Sequence, residues 1–236
     1  GKDCAKKADL IIDYSIQNLY NIHSSHSFSP VIASKFLYMP CLPFDSFNYY
    51  NNNHRSKQLI VKKAADSRRQ DYVLQGLAKQ GIKPLSIYFQ KLEEEQKNLD
   101  DAKILINIHE TEAHHTLEEK NVLPALMRGV VVISEPVPLT SVLPYHPFII
   151  FSNISSMAAT IKQVIEDYDS IAKEFFNPRS ELWPILEGMT YIAKEQLVNS
   201  LLVVEQNKHA KEMERERAKE RERQREIETE REREKE

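Results

Sequence analysis

The chain has 236 residues, 41% of them hydrophobic and 28% charged, with a formal net charge of −3. That is enough for one core of ordinary size, and the near-neutral balance gives no basis for nucleic acid binding. Two cysteines, Cys4 and Cys41, with no Cys-x-x-Cys pair, argue against a disulfide framework and a cysteine zinc site and fit a reducing compartment.

No apolar run reaches the roughly 18 residues that a membrane helix needs. The apolar run after the basic start GKDCAKKADLII is too short for a signal peptide. The expectation is a soluble, cytoplasmic protein with no membrane span, in which the sequon at Asn153 is a chance match.

In chain order, two short strand candidates come first, ADLIIDYS (8–15) and KFLYMPCLPF (35–44). The polar run FNYYNNNHRSKQ (47–58) reads as a surface linker. An alternation follows. LIVKKA (59–64) is a strand; SRRQDYVLQGLAKQG (67–81) is a helix with Ser67 as cap and Gly81 as stop. IKPLSIYF (82–89) is a strand, KLEEEQKNLDDA (91–102) a helix and KILINI (103–108) a continuous apolar strand. HTLEEKNVLPALMRG (115–129) is helical, ended by Gly129, and VVVIS (130–134) is another buried strand. HPFIIFS (146–152) is a further strand, with a helix over 155–176 and one or two closing helices over 181–209. Strands apolar on both faces and separated by helices predict an α/β fold: a Rossmann-like parallel sheet covered by helices on both faces.

The last 26 residues, KEMERERAKERERQREIETEREREKE, are different in kind. They hold ten Lys or Arg against eleven Glu, a net charge of −1, and only Met213 and Ile227 are sizeable apolar residues. No core can form there. Glu-to-Arg pairs three apart, such as Glu214 with Arg217, each add ~0.2–0.5 kcal/mol to a helix. The tail reads as a solvated charged helix, or as an arm for a protein partner through 211–236, although apolar a and d positions are missing.

A parallel sheet binds ligands outside the carboxyl ends of its strands. Those ends fall at 64–66, from His109 onward, and at Ser134-Glu135. Three chemistries compete there. A zinc site fails on spacing: after His109 and Glu110 the next histidine is His114, and Ala113 stands where the helical motif His-Glu-x-x-His needs its ligand. No metal is expected. A phosphate site has no glycine-rich cradle, but two helices begin just after strands, near Ser67 and near His115 and Thr116, and helix amino termini attract anions. Arg68 and Arg69 open the first of them and either clamp a diphosphate or face solvent. Thr116 and Glu119 have capping-box spacing, whereas Glu118 continues the stripe Val122, Ala125, Leu126 and points at the cleft. Pro124 removes a helical hydrogen bond.

The run NIHETEAHHTLEEKNVLPALMRGVVVISEPVPLTSVLPYHPFIIFS resembles the nucleotide-sugar-binding half of GT-B glycosyltransferases. It is similar above all to glycosyltransferases of large DNA viruses, which carry a strand, a polar His-rich loop, Thr-x-Glu-Glu, Leu-Pro-Ala-Leu, Gly-Val and Ser-Glu. The resemblance spans roughly residues 8 to 176 and is specific over 103–151. It implies a donor that is a nucleoside diphosphate sugar, an unknown acceptor, no cofactor, and a host-cytoplasm or virion setting. The implied donor-binding residues are Arg68, Arg69, His109, His114, His115, Thr116, Glu118, Glu119, Ser134 and Glu135. It also implies a division into an acceptor-half remnant with its crossover (1–46), the linker (47–58), a donor domain (59–209) and the charged tail (210–236). Two positions depart from the family pattern: Asn121 stands where Arg is frequent, and Pro124 where Glu is common. With most of an acceptor half missing from the resemblance, the alternative is a non-catalytic binding or scaffold protein on the same fold.

Overall fold

The computed structural model describes residues 2–25, 27–42, 55–62, 68–87, 92–109 and 116–233. Its first part is a small β-α-β unit. After the helix α1 (Lys2–Lys7), strands β1 (Ile11–Asp13) and β2 (Phe36–Tyr38) pair in parallel, with Ile12 opposite Leu37. They are joined through α2 (Ile16–Ser24) and α3 (Pro30–Ala33), which the hydrophobic pattern did not announce. Local chemistry starts both. The Ser15 hydroxyl accepts the Asn18 N–H, and Pro30 stands in the first turn of α3, where its missing N–H has no helical partner to lose.

The main body holds five parallel strands: β3 (Lys57–Lys62), β4 (Leu85–Ile87), β5 (Ala102–Asn107), β6 (Val131–Ser134) and β7 (Ile149–Phe151). Their order across the sheet is β4-β3-β5-β6-β7. In register, Ile104, Leu105, Ile106 and Asn107 of β5 stand opposite Val131, Val132, Ile133 and Ser134 of β6. Both runs are buried on both faces, as the middle of a parallel sheet requires. The expected strand over 59–64 begins earlier, inside the linker expected over 47–58. The rest of that linker, up to residue 54, lies outside the described residues.

The crossovers are α4 (Arg68–Lys79), α5 (Leu92–Asp101) and α6 (Glu119–Met127), followed after β7 by α7 (Met157–Glu166) and α8 (Tyr168–Phe176). The β3-to-β4 connection moves one way along the sheet and the β5-to-β6 connection the other. Right-handed crossovers therefore put α4 and α6 on opposite faces. Gly81 and Gly129 end α4 and α6 at φ 75° and 67°. In each case the next residue, Ile82 or Val130, donates back five residues to Leu77 or Ala125. These are paired Schellman closures, and the positive φ is why glycine stands there.

Three expectations are corrected. The single helix over 155–176 breaks at Asp167, whose φ of −97° and ψ of 10° close α7 and open α8. The helix expected from 115 begins only at Glu119. The closing helix and the charged tail are one object, α9 (Leu182–Arg233), 52 residues long. Its start is anchored by an aromatic chain: Phe148, Phe175, Phe176 and Trp183 meet with ring centroids 5.8, 6.1 and 6.2 Å apart. Trp183 also donates its indole N–H to Asn177 O at 2.9 Å.

Candidate functional site

In a doubly wound sheet the ligand crevice opens where strand order reverses. Here that point lies between β3 and β5. Asn107 ends β5 and is buried, as is His109 two residues on. Across the register Ser134 ends β6, with Glu135 next, both buried. Arg69 enters from the first turn of α4, and Glu118 from the residue just before α6. Six polar side chains from four elements therefore meet at the carboxyl end of the sheet.

Their contacts form one network. Asn107 Nδ2 donates to Glu118 Oε2 at 2.7 Å and to Ser134 Oγ at 3.0 Å. The Ser134 hydroxyl donates to Glu135 O at 3.0 Å. Glu118 Oε1 lies 3.2 Å from His109 Nδ1, which donates to it in the tautomer or charge state that protonates that nitrogen. The His109 backbone N–H donates to Glu135 Oε2 at 2.7 Å, and the other Glu135 oxygen takes the Arg69 guanidinium. That ion pair is sheltered, with Arg69 21% and Glu135 5% exposed at the side chain. Among the described residues the cluster sets two carboxylates, Glu118 and Glu135, against one arginine, Arg69, which makes it an acceptor of hydroxyl protons first. An anion reaches Arg69 only by sharing it with Glu135.

Glu118 and Glu119 part company. Glu119 points away from this network, towards the N-terminal unit, and is fully buried. Its Oε1 accepts the Ile16 N–H at 2.7 Å and its Oε2 the Tyr38 hydroxyl at 2.8 Å. Burial pushes its carboxyl up to about 7, against the downward pull of the Tyr38 and Ile16 hydrogen bonds; nearby Asp13 adds to the rise. Burial first, then the Glu119 charge, raises the Tyr38 phenol. The Tyr145 hydroxyl is raised for the same two reasons. It faces Glu119 electrostatically, without the geometry of an ordinary hydrogen bond.

The structure so distributes the expected residues unevenly. It gathers Arg69, His109, Glu118, Ser134 and Glu135. It leaves Arg68 exposed to solvent and turns Glu119 to a different task. The capping box does not form: Thr116 lies two residues before the cap position, which Glu118 occupies without a side-chain capping bond. The physical reason is competition, since both carboxylates have stronger partners elsewhere. His114, His115 and Ser67 lie outside the described residues. Asn107 joins the site unannounced, although an asparagine ending an apolar strand was a visible signal. Gln17 and Tyr38, which hold the loop from behind, had none.

Among the described residues no group of three or more His, Cys, Asp or Glu is placed to hold a metal ion, and no helix is long and apolar enough to cross a membrane. The fold and cluster define a class: an α/β protein with a Rossmann-like parallel sheet and polar side chains converging at its carboxyl edge. No protein-family model and no curated protein matches the chain.

Proposed function

We propose that the cluster at the carboxyl end of β5 and β6 binds a nucleoside diphosphate sugar, and that the chain acts as the donor-binding part of a GT-B glycosyltransferase. The observation that carries this reading is the convergence of Arg69, Asn107, His109, Glu118, Ser134 and Glu135 at the carboxyl ends of β5 and β6, with β5 bordering the point where strand order reverses. Carboxylates and an asparagine suit the hydroxyls of ribose or sugar. Arg69 and the first turn of α4 suit a diphosphate, whose departing charge they would stabilise during transfer. The sequence resemblance over 103–151 points to the same ligand.

The test is thermal unfolding of the chain against a panel of nucleoside diphosphates and their sugars, with and without a divalent cation. A ligand at 100 times its dissociation constant stabilises the fold by ~2.7 kcal/mol. One nucleotide should give a clear shift, and Glu118→Gln and Arg69→Ala should each reduce it. Full affinity in both variants would remove the site assignment, and no shift with any nucleotide would remove the reading. One feature favours a second reading, a non-catalytic protein using α9 as an arm: Tyr191, Val198, Leu201, Leu202 and Val203 of that helix are all about half exposed or more. A chain that ignores every nucleotide while retaining a protein partner through 211–236 would support it.

A further inference from the structure

Residues 117–119 face two ways. Glu118 points into the cleft, to Asn107 and His109. Its two neighbours are bound from behind by the start of α2. The Leu117 N–H donates to Gln17 Oε1 at 2.7 Å, and Glu119 accepts the Ile16 N–H and the Tyr38 hydroxyl. Gln17 is fully buried and uses its other end as well: Nε2 donates to Pro138 O at 2.5 Å. Pro138 lies three residues beyond Glu135. One side chain of the N-terminal unit thus ties together the two loops that carry the carboxylates of the cleft. The second loop is held under strain at that point, since Leu139 has φ 59° and ψ 32°, a left-handed conformation that a leucine keeps only when its surroundings impose it.

We propose that Gln17 is a positioning residue: through it the N-terminal β-α-β unit sets where Glu118 and Glu135 stand, so that docking of this unit is coupled to ligand binding in the cleft. The coupling half of this rests on the donor-site reading; the positioning half does not. The physical device is a pair of loops joined through one amide: Gln17 takes the Leu117 N–H of the first at one end and gives a proton to Pro138 O of the second at the other. Without it, the buried Leu117 N–H loses its partner, and buried donors left unmade are costly enough to move a backbone. Glu118 is the next residue, so it moves as well.

The variant Gln17→Met keeps the length of the side chain and removes both hydrogen bonds. The reporter is the side-chain amide of Asn107, bonded to Glu118 Oε2 and Ser134 Oγ, followed by proton–nitrogen NMR on the whole chain. In the variant its two proton resonances should shift and the Leu117 amide should exchange faster. Affinity for UDP or GDP, whichever the native chain binds, should fall roughly tenfold, within the usual range for coupled sites. Tyr38→Phe, which removes one hydroxyl from the same latch, should move the Asn107 signals in the same direction by less, and it decides the matter if Gln17→Met does not fold. An Asn107 amide that stays in place in a folded variant overturns the positioning role, because lost stability alone does not reach that group. Unchanged affinity for a nucleotide that the native chain binds overturns the coupling. A native chain that binds neither nucleotide removes the donor-site reading instead, and Asn107 still decides the positioning role.

Discussion

At the scale of single residues, the sharpest contrast is between the adjacent carboxylates Glu118 and Glu119. Glu118 is hydrogen-bonded at the cleft. Glu119 is fully buried, with its carboxyl pushed up to about 7 by that burial. Its folded value lies above the unfolded value of 4.5, so the protonated form favours the fold. The stabilisation from this group is complete below about 4.5 and is lost as pH rises through about 7. The separation of the two values corresponds to roughly 3 kcal/mol. Glu119→Gln resembles the protonated acid: its side-chain oxygen still accepts the Ile16 N–H, and its amide meets Tyr38. The stability of the native chain relative to this variant should therefore fall by about 3 kcal/mol between pH 4 and pH 8, as read from urea unfolding across that range. A constant difference between the two would mean that Glu119 titrates in the fold as it does in the unfolded chain.

At the scale of elements, the close contact of α4 with α7 explains a glycine in mid-helix. A Cβ on Gly76 would lie 3.0 Å from Ala158 Cβ. Gly in a helix interior costs about 1 kcal/mol relative to Ala, so its presence points to the approach of the two helices. Gly76→Leu gains propensity and overfills the contact; it should destabilise the fold by roughly 1–3 kcal/mol, seen as a lower denaturation midpoint. An unchanged midpoint would mean that the helices part easily there. The elements that the sequence made legible are those with local causes. Continuous apolar strands such as 103–108 and 130–134 announce a buried parallel sheet. Gly81 and Gly129 announce helix ends because the left-handed closing residue favours glycine. Partners far along the chain were not legible. The start of α6 lies at Glu119 and not at 115 because Glu118 and Leu117 are engaged at positions 107, 109 and 17. The break at Asp167 has no proline or glycine to mark it. Within the site, polar residues at strand ends gave His109, Ser134 and Glu135 their place. Arg69 and Arg68 were told apart only by which of them turned inward.

At the scale of the molecule, α9 joins two regimes in one helix. Its first turns are packed: Leu182, Trp183, Leu186, Thr190 and Ala193 are buried. From residue 205 to 227 every position is exposed, and the ion pair of Lys208 with Asp9 at 4.0 Å joins two side chains that are each more than half exposed. Such a pair contributes little. The packed segment supplies the nucleus that a free helix lacks, and the Glu–Arg pairs of the tail, each worth ~0.2–0.5 kcal/mol, carry the helix outward at small net gain. Deleting the chain from Lys211 onward removes 23 helical residues, Lys211 to Arg233. It should leave the cooperative unfolding of the body within ~0.5 kcal/mol of the native value, the range for changes away from packed features. Circular dichroism at 222 nm should lose the matching part of its helical signal. The native chain should show that part melting broadly and ahead of the cooperative step, since residues 211–227 are exposed throughout. A deletion that lowers the cooperative midpoint by several degrees would mean that the tail folds back on the body. Its alternating charges would then be part of the fold and not a solvated extension of it.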